Sequence, residues 1–108
     1  VPAPDEPVMR KHRFSSFFGT SLNEYMRRAG VDTLVVAGLS TGNCQIATAI
    51  DGANQDYKII VLADTTAAIP SGQDDPLGFG QHWETLRNIQ ANHGDVRTSL
   101  EFLEMLAK

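Results

Sequence analysis

Cys44 is the only cysteine in the chain, and it lies where a predicted strand meets a predicted helix. Residues 33–37 before it are apolar and β-branched, which is typical of a strand buried on both faces. Apolar residues recur after it at helical spacing, namely Ile46, Ala47, Ile50 and Ala53. A thiol at the start of a helix faces free backbone N–H groups and the positive end of the helix dipole, which favour the thiolate. This pattern leaves two interpretations open, a nucleophile and a buried structural cysteine.

Length and composition limit the classes of protein that remain. The chain has 108 residues, a net charge of −4, 42% hydrophobic residues and 20% charged residues. These values predict one domain and argue against nucleic acid or a membrane as partners. One cysteine cannot form an internal disulfide, and no targeting segment is visible, so the sequence predicts a cytoplasmic protein.

The apolar patterns predict strands and helices in the order βαβαβαβα. The predicted strands are residues 8–14, 33–37, 57–63 and 95–98, and the predicted helices begin near Ser21, Cys44, Phe79 and Thr98. Two possible capping boxes support this assignment, Ser21 with Glu24 and Thr98 with Glu101. Residues 64–76 are predicted as a polar loop. The order predicts an α/β fold, a mostly parallel sheet with helices on both faces, in which ligands bind at the carboxyl ends of the strands. The turn before Cys44 lies at that edge.

Spacing excludes several thiol chemistries. A cysteine phosphatase needs an arginine six residues after the cysteine, where this chain has Ile50, and a redox pair needs a second cysteine. The histidines His12, His82 and His93 lack the spacing and the acidic neighbours of a metal site. Amide hydrolysis remains, because it requires only a thiolate, a nearby cation and backbone donors.

Three blocks of sequence carry a specific resemblance. They are residues 11–22, residues 30–41 and Cys44 with Thr48 and Ala49, and residues 94–99 add a fourth, shorter match. In this order and at this spacing the chain closely resembles the isochorismatase-like cysteine hydrolase family. The resemblance implies that family's Rossmann-type three-layer fold. It also implies that residues 1–108 are a single domain that forms the C-terminal portion of the hydrolase domain, without its N-terminal strand or strands.

The resemblance assigns roles to individual residues. It implies that Cys44 and Lys11 are the catalytic cysteine and lysine, whereas the family's catalytic Asp has no counterpart here and is expected from the missing N-terminal segment. It implies a cis peptide bond before Ser40, and an oxyanion hole formed by backbone N–H groups near Ser40 and Cys44. Phe14, Phe17 and Phe18 are expected to line the substrate pocket.

Other residues are expected to have structural roles or to depart from the family. Asp64 is expected to support the end of a strand, and His82 and Trp83 are assigned no chemistry. Gln45 stands where the family usually has a small aliphatic residue, and Gly52 replaces a more common Ala.

These assignments imply a cysteine hydrolase that cleaves a C–N bond of a small amide or carbamoyl substrate through a thioester intermediate. The cysteine argues against the isochorismatase branch, whose reaction does without that nucleophile. No cofactor is expected, a metal held by upstream residues stays open, and a homo-oligomer is expected. The alternative is a catalytically silent family member or fragment with a structural or oligomerisation role.

Overall fold

One parallel sheet organises the chain, as seen in a computed structural model that describes residues 1–70 and 75–108. Its strands follow the order β1-β2-β3, and the bounds are Thr33–Leu39 for β1, Lys58–Ala67 for β2 and Asp95–Arg97 for β3. The helices are α1 (Leu22–Ala29), α2 (Ile46–Asn54), α3 (Phe79–Asn92) and α4 (Ser99–Leu106). A π-helical turn, Thr41–Gln45, joins β1 to α2 and is called the Cys44 turn below.

The core lies between the sheet and the two crossover helices. Ile59 and Val61 of β2 point to one face, where α2 and α3 pack against each other and against the strand. Ile60 alternates to the opposite face, on the side where α4 contacts β2. The predicted α/β architecture with helices on both faces is therefore confirmed. The buried core residues are Phe17, Met26, Val36, Ala49, Tyr57, Ile59, Val61, Leu86 and Ile89.

The predicted strand at residues 8–14 is wrong. These residues have no helix or strand structure, and with residues 15 and 16 they form an irregular segment called the Lys11 loop. An extended segment becomes a strand only where a neighbouring strand satisfies its backbone groups, and among the described residues β1 pairs with β2 alone. The prediction that β1 is buried on both faces is also wrong. Val36 is buried, but its neighbour Val35, which points to the opposite face, is exposed.

One of the two capping boxes forms. The Thr98 hydroxyl accepts a hydrogen bond from the Glu101 amide, and the Glu101 side chain accepts one from the Thr98 amide. Ser21 makes no side-chain cap hydrogen bond, and the Glu24 side chain pairs with Arg28 one turn further on, at 2.7 Å.

The predicted loop at residues 64–76 is shorter than expected. Strand β2 continues to Ala67, so the first four of these residues are strand, and residues 71–74 lie outside the described residues. None of the described helices has the length and apolar character that a membrane span requires.

Candidate active site

Cys44 lies in a turn that is closed by its own backbone. The Leu39–Ser40 peptide bond is cis, as the resemblance implied. The carbonyl of Ser40 then accepts hydrogen bonds from the amides of Asn43 and Gln45, at 3.2 and 3.1 Å. The Asn43 side-chain amide also donates to the Ser40 hydroxyl, at 3.1 Å. Ser40 is therefore bonded through both its carbonyl and its hydroxyl to the turn that carries Cys44, and Cys44 itself stays partly exposed.

Lys11 reaches this cysteine from a segment far away in sequence. Its Nζ lies 3.3 Å from the Cys44 Sγ, and it also donates to the carbonyls of Arg13 at 2.8 Å and Phe14 at 3.3 Å. An ammonium has three N–H donors, so these three acceptors account for all of them. The two carbonyls hold the cation in place, and the third donor points at the thiol.

A second contact fixes the Lys11 loop against α2. The Ser16 amide donates to the Thr48 hydroxyl at 2.9 Å, and that hydroxyl lies 3.2 Å from the Ser16 hydroxyl. Thr48 is four residues after Cys44 and so lies on the same side of the helical segment. The Lys11 loop is thus attached to α2 about one helical turn after Cys44.

Three clefts border the Cys44 side chain. The smallest, of about 240 Å³, lies along β1 beside Lys11. The two larger ones also border Phe14 and are called the clefts at Cys44. One, of about 470 Å³, is lined by Cys44 and the loop residues Lys11, His12, Arg13 and Phe14. The other, of about 440 Å³, is mostly apolar. Its lining residues are Phe14, Leu39, Ser40, Asn43, Cys44, Ala67, Ala68, Ile69 and Pro70.

The charge in these two clefts is of one sign. Among the described residues that line them there is no Asp or Glu, whereas Lys11 and Arg13 are cationic. The site therefore offers a thiol, a cation beside it and a mixed apolar and basic surface for a ligand.

The three predicted pocket phenylalanines have different positions. Phe14 lines both clefts at Cys44. Phe17 instead belongs to the core, where it is 8% exposed and stacks on Tyr57 with ring centroids 5.8 Å apart. Phe18 is exposed and lines neither cleft. The structure thus brings Phe14 together with Lys11, Ser40 and Cys44, and does not bring Phe17 or Phe18 to them.

Sequence reasoning missed a buried polar cluster behind the Cys44 turn. The Thr41 hydroxyl shares a hydrogen bond with the His82 Nδ1 at 2.8 Å and another with the Thr66 hydroxyl at 3.2 Å, and all three residues are buried. The sequence signal was the position of His82 four and seven residues before the core residues Leu86 and Ile89. A polar residue in line with a buried apolar stripe requires a partner, and here that partner is the Cys44 turn.

Gln45 is a second buried polar residue in this region. It is 4% exposed, and its Nε2 donates to the Ala37 carbonyl at 3.1 Å. This bond lies where the β1–β2 register is irregular, between Val36 and Gly38. The Gln45 Oε1 atom has no hydrogen-bond partner among the described residues. Gln45, at a position where the resemblance implied a small aliphatic residue, thus bonds the strand that leads to the turn at its irregular point.

Asp64 holds the start of α4 and does not lie at a strand end as expected, because β2 continues to Ala67. Its carboxylate accepts hydrogen bonds from the Ser99 amide at 2.8 Å and from the Ser99 hydroxyl at 2.6 Å. These bonds, the hydroxyl's first, lower the pKa of Asp64 from its ordinary value of 3.8. Asp64 therefore attaches the start of α4 to β2, and it is not among the residues that line the clefts at Cys44.

Comparison with known families gives one specific match. The profile of the isochorismatase domain matches residues 1–89 of the chain, which include Lys11, Ser40 and Cys44.

Individual relatives agree with this match. The chain is 33% identical over 106 residues to a maleamate amidohydrolase of Pseudomonas putida, covering 98% of this chain and 46% of that protein. It is 40% identical over 98 residues to a ureidoacrylate amidohydrolase of Methylorubrum extorquens, covering 89% of this chain and 36% of the relative. The chain therefore spans less than half the length of both proteins.

A solved structure gives the same result for the fold. The crystal structure of a cysteine hydrolase from Pseudomonas syringae superposes with a TM-score of 0.92 at 29% identity, covering 99% of this chain and 52% of that one.

Proposed function

The chain belongs to the isochorismatase domain family, and from that premise we propose that it is part of a cysteine hydrolase that cleaves a C–N bond of a small amide or carbamoyl substrate. The observation that carries the proposal is the 3.3 Å contact between the Lys11 Nζ and the Cys44 Sγ, in a turn flanked by two open clefts. A cation at that distance stabilises a thiolate, which is the reactive form of the nucleophile.

The proposed reaction proceeds through a thioester. The Cys44 thiolate attacks the carbonyl carbon of the amide, and the carbonyl oxygen becomes an oxyanion that backbone N–H groups near Ser40 and Cys44 stabilise. The C–N bond then breaks, the amine leaves with a proton, and an acyl group remains on the sulfur. A water molecule attacks this thioester, which releases the carboxylic acid and restores the thiol.

A carboxylate must carry the proton in both halves of this reaction. We assign it to a segment N-terminal to Val1, which would place residues 1–108 in the C-terminal portion of a longer hydrolase domain. Two observations support this assignment. Strand β1 pairs on one side only among the described residues, which leaves its other edge for a further strand, and the chain spans less than half of the two relatives compared.

The lining of the clefts favours a small amide that also carries an acidic group. His12 and Arg13 lie in the cleft that contains Cys44 and Lys11, and a guanidinium binds a carboxylate through two parallel hydrogen bonds. The apolar cleft beside Leu39 and Ile69 suits a short hydrocarbon link between the two ends of such a molecule. The names maleamate and ureidoacrylate, carried by two relatives, denote substrates that are anions of this kind.

The test measures ammonia release from maleamate, ureidoacrylate and nicotinamide by the product of the complete reading frame and by residues 1–108 alone. The longer protein is expected to hydrolyse at least one amide and to show an acyl adduct on Cys44 by mass spectrometry, and Cys44→Ala removes both. A well-folded longer protein with no activity and no adduct would favour the catalytically silent module. Equal activity of the short form would contradict the assignment of the carboxylate to an upstream segment.

One substitution tests the proposed preference for a substrate with an acidic group. Arg13→Gln should raise KM for an acidic amide about tenfold or more and leave KM for nicotinamide within about threefold, because only the acidic substrate loses a charged partner. Equal effects on both substrates would remove Arg13 from substrate binding.

A further inference from the structure

His82 is a buried side chain to which the proposed reaction assigns no task. It lies in the first turns of α3 and is 8% exposed. Its Nδ1 is 2.8 Å from the Thr41 Oγ1, and its ring meets the Trp83 ring edge to face, with centroids 5.0 Å apart. His82 is not among the residues that line the clefts at Cys44, and among the described residues its side-chain hydrogen bond to the site is the one with Thr41.

Thr41 is the first residue of the Cys44 turn, and it is completely buried. Its hydroxyl is bonded on one side to His82 of α3 and on the other to Thr66 of β2. A single hydroxyl thus connects the turn to two neighbouring elements. Whichever atoms donate, two hydrogen bonds to one hydroxyl restrict its orientation.

The same helix contacts the next residue of the turn. The Gln81 side chain packs against Gly42, so that a Cβ on Gly42 would lie 2.7 Å from the Gln81 Nε2. Helix α3 therefore touches the turn at two consecutive residues, one through a hydrogen bond and one through close packing.

A displacement at Thr41 is transmitted to the reacting atoms. Thr41 and Cys44 belong to one short π-helical turn, in which the Ser40 carbonyl accepts from the Asn43 and Gln45 amides and the Thr41 carbonyl accepts from the Ile46 amide. If Thr41 moves, the sulfur and the backbone N–H groups of the proposed oxyanion hole move with it. A misplacement of about 1 Å in such a site lowers the rate by about 10²-fold.

We propose that His82 is a positioning residue for the reaction, which acts by holding Thr41 and with it the Cys44 turn in the orientation that the reaction needs. This role rests on the proposed function of Cys44. It requires the directional hydrogen bond between His82 and Thr41, and the volume of the imidazole ring alone does not provide it.

Asn and Leu provide a matched pair of replacements at position 82. The two side chains have nearly the same shape, and only Asn carries an amide that can bond the Thr41 hydroxyl near the place of the Nδ1 atom. The experiment compares His82→Leu with His82→Asn in the product of the complete reading frame. Thr41→Val, the double variant Thr41→Val/His82→Leu and the control Glu84→Gln, on the exposed side of α3, complete the set. All rates are expressed per folded molecule.

The expected result is a loss of kcat of about tenfold or more for His82→Leu, with KM within about threefold of the parent value. His82→Asn recovers most of the loss, and Glu84→Gln changes neither parameter. Thr41→Val loses a similar amount, and the double variant is no worse than the single ones, because both remove the same bond. Equal impairment of the Asn and Leu variants, additive losses in the double variant, or an unchanged kcat in His82→Leu would each overturn the proposal.

A second measurement separates this proposal from the proposed function. The rate at which iodoacetamide alkylates Cys44 depends on the orientation and environment of the sulfur and requires no substrate. His82→Leu should change that rate at least fivefold and His82→Asn should restore it, even if the parent protein hydrolyses no amide. An unchanged alkylation rate in His82→Leu would refute the positioning role whatever the fate of the hydrolase assignment.

Discussion

The Cys44 turn and the Lys11 loop bring their side chains to within 3.3 Å of each other, but the fold holds them by different means. The turn follows a strand of the sheet, leads into a helix and is fixed at Thr41 by buried hydroxyl and imidazole groups. The loop has no regular structure, and its cation is held by two nearby backbone carbonyls. One side of the site is thus built into the core and the other lies over its surface.

This difference matches the different geometric requirements of the two groups. A nucleophile and its oxyanion donors gain most from rigid placement, because they must match the geometry of a transition state. A cation that stabilises a thiolate acts through distance more than direction, so it tolerates a looser support. The following predictions test this contrast, and all concern the product of the complete reading frame.

The largest effect is expected at the buried side. Cys44→Ala should lower kcat by about 10⁴-fold or more, since removal of a nucleophile in a catalytic unit has effects of that order. Cys44→Ser should retain little activity, because an alkoxide is far harder to form than a thiolate. Circular dichroism and thermal unfolding should stay close to the parent, because Cys44 is only partly buried. Activity within tenfold of the parent in Cys44→Ala would remove Cys44 from the chemistry.

A smaller effect is expected at the exposed side. Lys11→Met should lower kcat/KM by about 10²–10³-fold, the range for loss of one electrostatic stabiliser. It should also slow the alkylation of Cys44 by iodoacetamide, because the sulfur loses its nearby cation. Lys58→Met, an exposed lysine at the start of β2, is the charge-matched control. If Lys11→Met and Lys58→Met are alkylated at the same rate, the 3.3 Å contact has no effect on the sulfur.

The link between the two sides is expected to have a still smaller effect. Thr48→Val removes the acceptor of the Ser16 amide, and it should lower the free energy of unfolding by about 1 kcal/mol. It should also reduce kcat/KM several-fold, because the Lys11 loop loses its attachment to α2. Thr65→Val is the control, since Thr65 is exposed and its hydroxyl donates to the Leu62 carbonyl of the same strand. Equal losses in the two variants would show that the Ser16–Thr48 contact does not position the loop.

The sequence predicted most elements and missed what depends on contacts between them. Local patterns located the four helices and three of the four predicted strands. The fourth strand failed because residues 8–14 have no pairing partner among the described residues, and pairing is a property of the whole sheet. The pocket residues were hard to predict for the same reason. Phe14 and Phe17 look alike in sequence, and only contacts with distant residues place Phe17 in the core and Phe14 at the clefts.

The buried faces of the helices were also harder to predict than the helices. In α2 the periodic apolar residues suggested a face through Ile46 and Ile50, but the most buried positions are Thr48, Ala49 and Gly52. A Cβ on Gly52 would lie 2.7 Å from the Ile59 Cδ1, so small residues allow this helix to approach the sheet closely. In α3 the large residues Phe79 and Trp83 are exposed. Hydrophobic size alone therefore did not identify the packed faces, and in α3 the packed face carries His82 together with Leu86 and Ile89.

The smallest effect is expected in α4, away from the clefts at Cys44. Hydrogen bonds from Ser99 lower the pKa of Asp64, and those from Thr98 lower the pKa of Glu101. A carboxyl group whose pKa is lower in the folded state stabilises that state above its unfolded pKa, and the stabilisation is lost as the pH falls through the folded pKa. The ordinary values are 3.8 and 4.5, so α4 should loosen below about pH 4.5.

Hydrogen exchange between pH 6 and pH 3.5, corrected for the intrinsic pH dependence of exchange, measures this loosening. The amides of α4 should lose protection before those of α2, because the start of α4 is held by carboxylate hydrogen bonds, whereas α2 is held by the packing of Ala49 and Gly52 against the core. Asp64→Asn should already reduce α4 protection at pH 6 and flatten its response to acid, whereas Asp95→Asn makes the same charge change elsewhere and should do neither. If α2 and α4 instead lose protection together, the start of α4 is not held by Asp64 independently, and acid acts on the fold as one unit.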